Sequence, residues 1–130
     1  MPHFIVEYSA NLDEDIKIQK LFGNLHDTAL ETGIFPLGGI RFRAVRCEDY
    51  LIADGDPDNA FVHVTLKIGH GRDITVRENV ATMLFATLKN YFAPMSKNRP
   101  LGVSFELIEL HETLSLKENN IHKYIKQKQN

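Results

Sequence analysis

The chain lacks several features on which whole classes of protein depend. Among its 130 residues there is one cysteine, Cys47, so no disulfide can form within the chain and a reducing compartment is expected. No apolar run is long enough to span a membrane, and the first residues lack the basic and then apolar order of a signal peptide. Together these absences predict a cytoplasmic protein.

An excess of charge of one sign is also missing. The formal net charge of -2 gives no general attraction to nucleic acid or to acidic membranes, and no basic patch is interleaved with aromatic residues. Six histidines, at positions 3, 26, 63, 70, 111 and 122, show no compact metal-ligand spacing. Neither Ser9 nor Cys47 lies in a nucleophile motif. We therefore expect no metal, no nucleic acid and no membrane as partner.

What the chain does contain is a strand-helix-strand pattern that occurs twice. We expect one domain over residues 1–130, with a first copy over about 2–53, a second over about 60–111 and a short C-terminal helix over about 115–126. Each βαβ unit pairs its strands in parallel by a right-handed crossover. The prediction is an α+β fold with one four-stranded sheet and two helices on one face.

The boundaries of these elements follow from local signals. The acidic segment from residue 11 begins the first helix, and Gly33 with Pro36 ends it. Residues 39–54 form one long or broken strand. Thr75 and Glu78 have the spacing of a capping box for the second helix, which ends at the segment 94–100. Helices on one face leave the other face of the sheet half-apolar, and a second subunit is the simplest cover.

Three arginines occupy unusual positions. Arg41 and Arg43 are two residues apart on a strand, hence on one face, where an anion or acidic groups such as Glu48 would relieve their repulsion. Arg72 lies between a glycine and the start of a helix, whose orphan N–H groups also attract anions. Alternatively, Arg72 points into solvent or pairs with Asp73. The residues alone leave both interpretations open.

Pro2 raises a further possibility, because a small residue after Met1 permits removal of the methionine. The mature chain would then begin with a secondary amine held on a rigid ring. An α-amine has an ordinary pKa near 8, close to the value that suits a general base at neutral pH. Burial and nearby guanidinium groups would lower that pKa further.

Several segments together resemble a known family. "PHFIVEYS", "GIFPLGGIR", "DGDPDNAFVHVTLKIGHGR" and "SFELIEL" are similar to the 5-carboxymethyl-2-hydroxymuconate isomerase family of the tautomerase superfamily, which also includes 4-oxalocrotonate tautomerase and macrophage migration inhibitory factor (MIF). The similarity extends from Pro2 to about His122. It implies a tautomerase/MIF-like fold, a homotrimer, and no metal or organic cofactor.

The resemblance also implies an activity and a division of roles. The expected reaction converts a 2-hydroxymuconate dienol into its 2-oxo-3-ene isomer during homoprotocatechuate (4-hydroxyphenylacetate) breakdown. Pro2 would be the catalytic base, and Arg41 would stabilise charge at the 2-oxy end. Arg72 would bind a remote carboxylate of the dicarboxylate or tricarboxylate substrate, with Arg43 as a further contact.

Two other functions are compatible with the same residues. One is a small α/β module that binds a carboxylate ligand without chemistry, and such a module would tolerate Pro2→Ala. The other is a tautomerase that acts on a different enol. Rates on several enols distinguish these possibilities.

Overall fold

The computed structural model describes residues 1–129, which form four strands and three helices. In chain order the elements are β1 (His3–Ser9), α1 (Ile18–Glu31), β2 (Arg41–Cys47), β3 (Ala60–Ile68), α2 (Ile74–Ser96), β4 (Leu101–Glu109) and α3 (Ile121–Gln129). Short helical turns at Ala10–Leu12 and Leu37–Gly39 follow β1 and precede β2. Within the described residues, no helix is long and apolar enough to cross a membrane.

The four strands form a single mixed sheet in the order β2-β1-β3-β4. β1 is parallel to β2, β3 is parallel to β4, and the central pair β1 and β3 is antiparallel. Each parallel pair is joined through one helix, so the two βαβ units lie side by side. The α+β fold predicted from the sequence is confirmed.

Alternation along the central strands decides which face carries the core. Phe4 and Val6 of β1 are fully buried, as are Val62 and Val64 of β3, whereas the residues between them are half-buried. Buried side chains of α1 and α2 complete the cluster: Leu21, Leu25, Ala29, Val80, Leu84, Leu88 and Phe92. The opposite face mixes apolar and charged side chains, which is the half-apolar surface expected there.

The first helix begins later than the sequence pattern predicts. Residues 10–12 form a separate turn and α1 begins only at Ile18. The cause is tertiary, because the Asn11 side-chain amide donates to the carbonyl of Asn59 (2.7 Å) and accepts a hydrogen bond from Ser9 Oγ (2.7 Å). These bonds hold the acidic segment against a distant turn. The end of the helix was predicted correctly, since Gly33 adopts the positive φ of +76° that favours glycine there.

The capping box predicted at Thr75 and Glu78 is wrong. Asp73 caps α2, because its carboxylate accepts hydrogen bonds from the Ile74 N–H (3.0 Å) and the Thr75 hydroxyl (3.0 Å). The helix ends at Ser96, within the segment 94–100 predicted for its end. Pro94 has no N–H to donate to the carbonyl four residues earlier, so one helical hydrogen bond is missing in the last turn of α2.

Two further boundaries differ from the prediction. β2 ends at Cys47, opposite Ser9, because β1 ends there and offers no further partner. The C-terminal helix begins at Ile121 rather than near residue 115. Its start is fixed by Asn119, whose side-chain oxygen accepts a hydrogen bond from the Ile121 N–H (3.0 Å).

Candidate functional site

The first residues of β1 and β2 meet at one end of the sheet. His3 is the register partner of Arg41, and the Pro2 carbonyl accepts a hydrogen bond from the Arg41 N–H (3.0 Å). Pro2 is buried and Arg41 is half-buried. The pairing of these two strands therefore sets Pro2 and Arg41 side by side, although 39 positions separate them in the sequence.

Two adjacent glycines, Gly38 and Gly39, form the turn on which the Pro2 ring packs. A Cβ atom on Gly39 would lie only 3.3 Å from Pro2 Cδ, so a side chain there would push against the ring. The neighbouring Gly38 carbonyl accepts hydrogen bonds from Arg41 Nη1 (3.2 Å) and Asn119 Nδ2 (2.9 Å). A Cβ on Gly38 would clash with the His122 ring at 2.5 Å from Nδ1. The turn Leu37–Gly39 thus fits between the start of the chain and its C-terminal segment.

Arg72 extends from the second βαβ unit to the first. Its Nη2 donates to the Ile34 carbonyl (2.8 Å), and its guanidinium carbon lies 5.7 Å from the centroid of the Phe35 ring. Arg72 is half-buried, and its neighbour Asp73 is engaged in capping α2. The structure therefore contradicts the alternative in which Arg72 points into solvent or pairs with Asp73.

Positive charge is concentrated around the free amine, which in this structure belongs to Met1. Burial lowers the pKa of that amine below its ordinary value of 8.0, and Lys117, Arg41 and Arg72 lower it further. None of these three cations forms a salt bridge with a carboxylate of residues 1–129. Cations without a carboxylate partner beside a partly buried amine suit an anionic ligand, and they favour the neutral, basic form of the amine.

Arg43 lies on the same strand face but has a different partner. Its Nη1 contacts His3 Nδ1 at 3.1 Å, and the Arg43 side chain is exposed. Burial lowers the pKa of His3, and the Arg43 guanidinium lowers it further, so a neutral imidazole can accept the hydrogen bond. Arg43 is therefore less directly involved with the amine than Arg41 is.

The equivalent end of the second unit carries no such cluster. When the segment "GVSFE" is aligned with "GIRFR", Ser104 of β4 stands in the place of Arg41. The Ser104 hydroxyl contacts His63 Nδ1 at 2.6 Å, and β4 itself begins at Leu101, which pairs with Ala60. Residue 60 at the start of β3 is preceded by chain, so its nitrogen is an amide. Within the described residues, no group of three or more His, Cys, Asp and Glu side chains lies together as a metal site would require.

The sequence reasoning missed the contribution of the C-terminal segment. Lys117, Asn119 and His122 all approach the glycine turn or the amine, although their segment reads as a polar tail. Asn119 is 81 positions from its partner Gly38, so no local pattern connects them. The adjacent glycines of "PLGGIR" are the signal that could have revealed a closely packed turn.

Comparisons with known proteins agree on one family. The family model described as 5-carboxymethyl-2-hydroxymuconate isomerase matches residues 2–125. A curated Escherichia coli protein, 5-carboxymethyl-2-hydroxymuconate Delta-isomerase, is 47% identical over 126 residues, covering 97% of this chain and 100% of the relative. A crystal structure of a 5-carboxymethyl-2-hydroxymuconate isomerase from Deinococcus radiodurans R1 is 41% identical, with a TM-score of 0.89 over 95% of this chain and 93% of that chain.

More distant structures share the fold alone. One, described as a fused 4-OT wild-type symmetric trimer, is 15% identical, with a TM-score of 0.58 over 90% of this chain and 95% of that chain. A macrophage migration inhibitory factor-like protein also superposes. The tautomerase/MIF-like architecture predicted from the resemblance is thereby confirmed.

Proposed function

Because this chain belongs to the 5-carboxymethyl-2-hydroxymuconate isomerase family, we propose that it isomerises 5-carboxymethyl-2-hydroxymuconate in the breakdown of aromatic compounds. The substrate is a dienol with three carboxylates. Its 2-hydroxyl proton leaves oxygen, a C–H bond forms at C5, and the double bonds shift to give the 2-oxo-3-ene product. The reaction is a proton transfer that requires a base and a means of stabilising negative charge.

Pro2 is the base in this proposal, once Met1 has been removed. The observation that carries the proposal is the pairing of Pro2 with Arg41, whose N–H donates to the Pro2 carbonyl (3.0 Å) at the start of β1. Arg41 and Arg72 are also among the groups that, with burial, lower the pKa of the Met1 amine beside it. The same burial and positive charge would lower the pKa of a Pro2 amine and favour the neutral form, which can accept the hydroxyl proton. Packing of the ring on Gly39 would limit its motion and aim the nitrogen.

Arg41 and Arg72 have separate roles. Arg41, adjacent to Pro2, would stabilise the charge that grows on the 2-oxy group, and its planar fork can also bind the C1 carboxylate through two hydrogen bonds. Arg72, held by the Ile34 carbonyl and the Phe35 ring, would bind the C6 carboxylate. Arg43 is an accessory contact through the same strand face.

The direct test is an ultraviolet assay of dienol loss with protein whose intact mass confirms removal of Met1. Rapid loss of 5-carboxymethyl-2-hydroxymuconate is expected. Phenylpyruvate, tested in parallel, should react far more slowly. Absence of dienol loss in the processed protein, or faster turnover of phenylpyruvate, would refute the proposed substrate.

Arg72→Gln should mainly weaken substrate binding. We expect KM to rise by about tenfold or more while kcat changes by less than about threefold, because the lost hydrogen bonds to a carboxylate exist before and during the reaction. Steady-state kinetics on the dienol measure both values. The matched control is Arg77→Gln, since Arg77 Nε donates to the Arg72 carbonyl (2.9 Å) and supports the same loop. An equal rise in KM for both variants would mean that loop structure, not the Arg72 charge, is responsible.

We also propose a cytoplasmic homotrimer. Leu51, Leu114 and Leu116 are 83%, 77% and 89% exposed, which is unusual for leucine, and the edges of β2 and β4 are unpaired within residues 1–129. Contacts with further subunits would cover these groups.

Sedimentation equilibrium should therefore give a mass about three times that of the 14.8 kDa chain. Charge introduced by Leu51→Glu or Leu116→Glu should shift the protein toward monomer, whereas Lys97→Glu, at an exposed position after α2, should not. A wild-type protein that sediments as a monomer at all concentrations would exclude the trimer.

A further inference from the structure

Arg72 lies in a short loop whose backbone must be held if its guanidinium is to stay in place. Residues 69–73 form this loop between β3 and α2. The Ile34 carbonyl and the Phe35 ring hold the end of the Arg72 side chain. A loop that moved would carry the guanidinium away from both, so the groups that fix the backbone also decide where the charge lies.

Glu109 holds the loop directly before Arg72. It is the last residue of β4 and the register partner of Ile68 at the end of β3, so it lies beside the start of the loop. Its Oε2 accepts a hydrogen bond from the Gly71 N–H (2.9 Å). Gly71 has a φ of +113°, a conformation that residues with a side chain rarely adopt. The carboxylate therefore fixes the turn at the point where the chain bends.

The same carboxylate holds the loop a second time through Arg77 on α2. Its Oε1 lies 3.4 Å from Arg77 Nη1, and the two side chains are only 23% and 28% exposed. Arg77 Nε in turn donates to the Arg72 carbonyl (2.9 Å). Glu109 thus acts on both sides of the Gly71–Arg72 segment, directly at one N–H and through Arg77 at the next carbonyl.

This network supports Arg72 without neutralising it. The Gly71 N–H lowers the pKa of Glu109 below its ordinary value of 4.5, and the charges of Arg77 and His70 lower it further, so the carboxylate is ionised at neutral pH. Its ion pair is with Arg77, and no carboxylate of residues 1–129 lies within salt-bridge distance of Arg72. The Arg72 charge therefore stays available to an anionic ligand.

We propose that Glu109 is a positioning residue for substrate binding, which acts with Arg77 to hold the loop of Arg72 where its guanidinium receives the remote carboxylate. This inference rests on the proposed function, since Glu109 acts through Arg72. Removal of Glu109 should weaken binding and leave the chemical step unchanged.

Glu109→Ala should raise KM for 5-carboxymethyl-2-hydroxymuconate by about fivefold in the processed enzyme, with kcat changed by less than about twofold. Glu109→Gln should raise KM by no more than about twofold, because its amide oxygen can still accept the Gly71 N–H. The matched control is Glu78→Gln, which removes one negative charge from an exposed residue next to Arg77 and should leave both constants unchanged.

A double-mutant cycle distinguishes positioning of Arg72 from a general structural effect. In the Arg72→Gln background, Glu109→Ala should raise KM by less than about 1.5-fold further, because the side chain that it positions is already absent. Independent multiplication of the two effects, or an unchanged KM in Glu109→Ala alone, would overturn the role of Glu109 and leave the isomerase intact.

Two further outcomes are decisive. Loss of the folded state in both Glu109 variants, measured by circular dichroism, would show that the residue serves stability and would overturn the positioning role. Failure of the wild-type enzyme to convert the dienol would instead overturn the proposed function and, with it, this role.

Discussion

Pro2→Ala should reduce kcat for dienol isomerisation by about 10²-fold or more, within the range that general-base catalysis contributes. Alanine retains a primary amine, but it lacks the ring that packs on Gly39, so the nitrogen is no longer held in one orientation. KM should change little, because the carboxylate-binding side chains remain. Steady-state kinetics, with intact mass confirming that Met1 is absent from both proteins, measure the effect.

A second variant tests whether the free nitrogen itself is required. Insertion of one alanine between Met1 and Pro2 moves the amine one residue away and converts the Pro2 nitrogen into an amide, which cannot accept a proton at neutral pH. We expect a loss at least as large as that of Pro2→Ala, with an unchanged thermal unfolding midpoint. Full activity of the extended chain would eliminate Pro2 as the base.

Arg41→Gln should lower kcat by about 10²- to 10³-fold, as removal of a preorganised group that stabilises a developing oxyanion usually does. Arg41→Lys should recover part of the rate, since it restores the charge but not the planar fork. Arg43→Gln provides the comparison on the same strand face. Its guanidinium is exposed and bonded to His3, so KM should rise by no more than about threefold. A smaller effect of Arg41→Gln than of Arg43→Gln would reverse the assignment.

Arg41→Gln should also shift the pH dependence of kcat/KM to higher pH. The base acts only when neutral, so kcat/KM falls as pH drops through the pKa of the amine. Arg41 is one of the groups that lower this pKa, and its removal disfavours the neutral form. The acidic limb of the profile should therefore move to higher pH in Arg41→Gln than in the wild type. A shift to lower pH would contradict the electrostatic role.

The alternating strands and the amphipathic helices could be read from the sequence because their signals are local. Val62 and Val64 alternate with half-buried residues, and Leu21, Leu25 and Ala29 recur at helical spacing, so periodicity alone assigns these elements. Helix starts were less predictable. The start of α1 is delayed to Ile18 because Asn11, in the preceding turn, bonds to the carbonyl of Asn59, a residue too distant in sequence for a local pattern to reveal.

Some residues of the candidate site could likewise be identified from the sequence, whereas others could not. Arg41 stands out because it shares a strand face with Arg43, and Arg72 stands out because a cation is unfavourable just before a helix. Lys117 does not, since one lysine in a polar segment is ordinary. The segment that contains it is attached to the glycine turn by Asn119, which binds Gly38 across 81 positions of the sequence. These residues come close together only in the folded chain.

The contact of Arg72 in the second unit with Ile34 in the first makes the two βαβ units interdependent. The first unit holds the proline and Arg41, whereas the second holds Arg72 at its strand-helix junction. In the proposed site neither unit alone carries all three groups, so neither could form the site without the other.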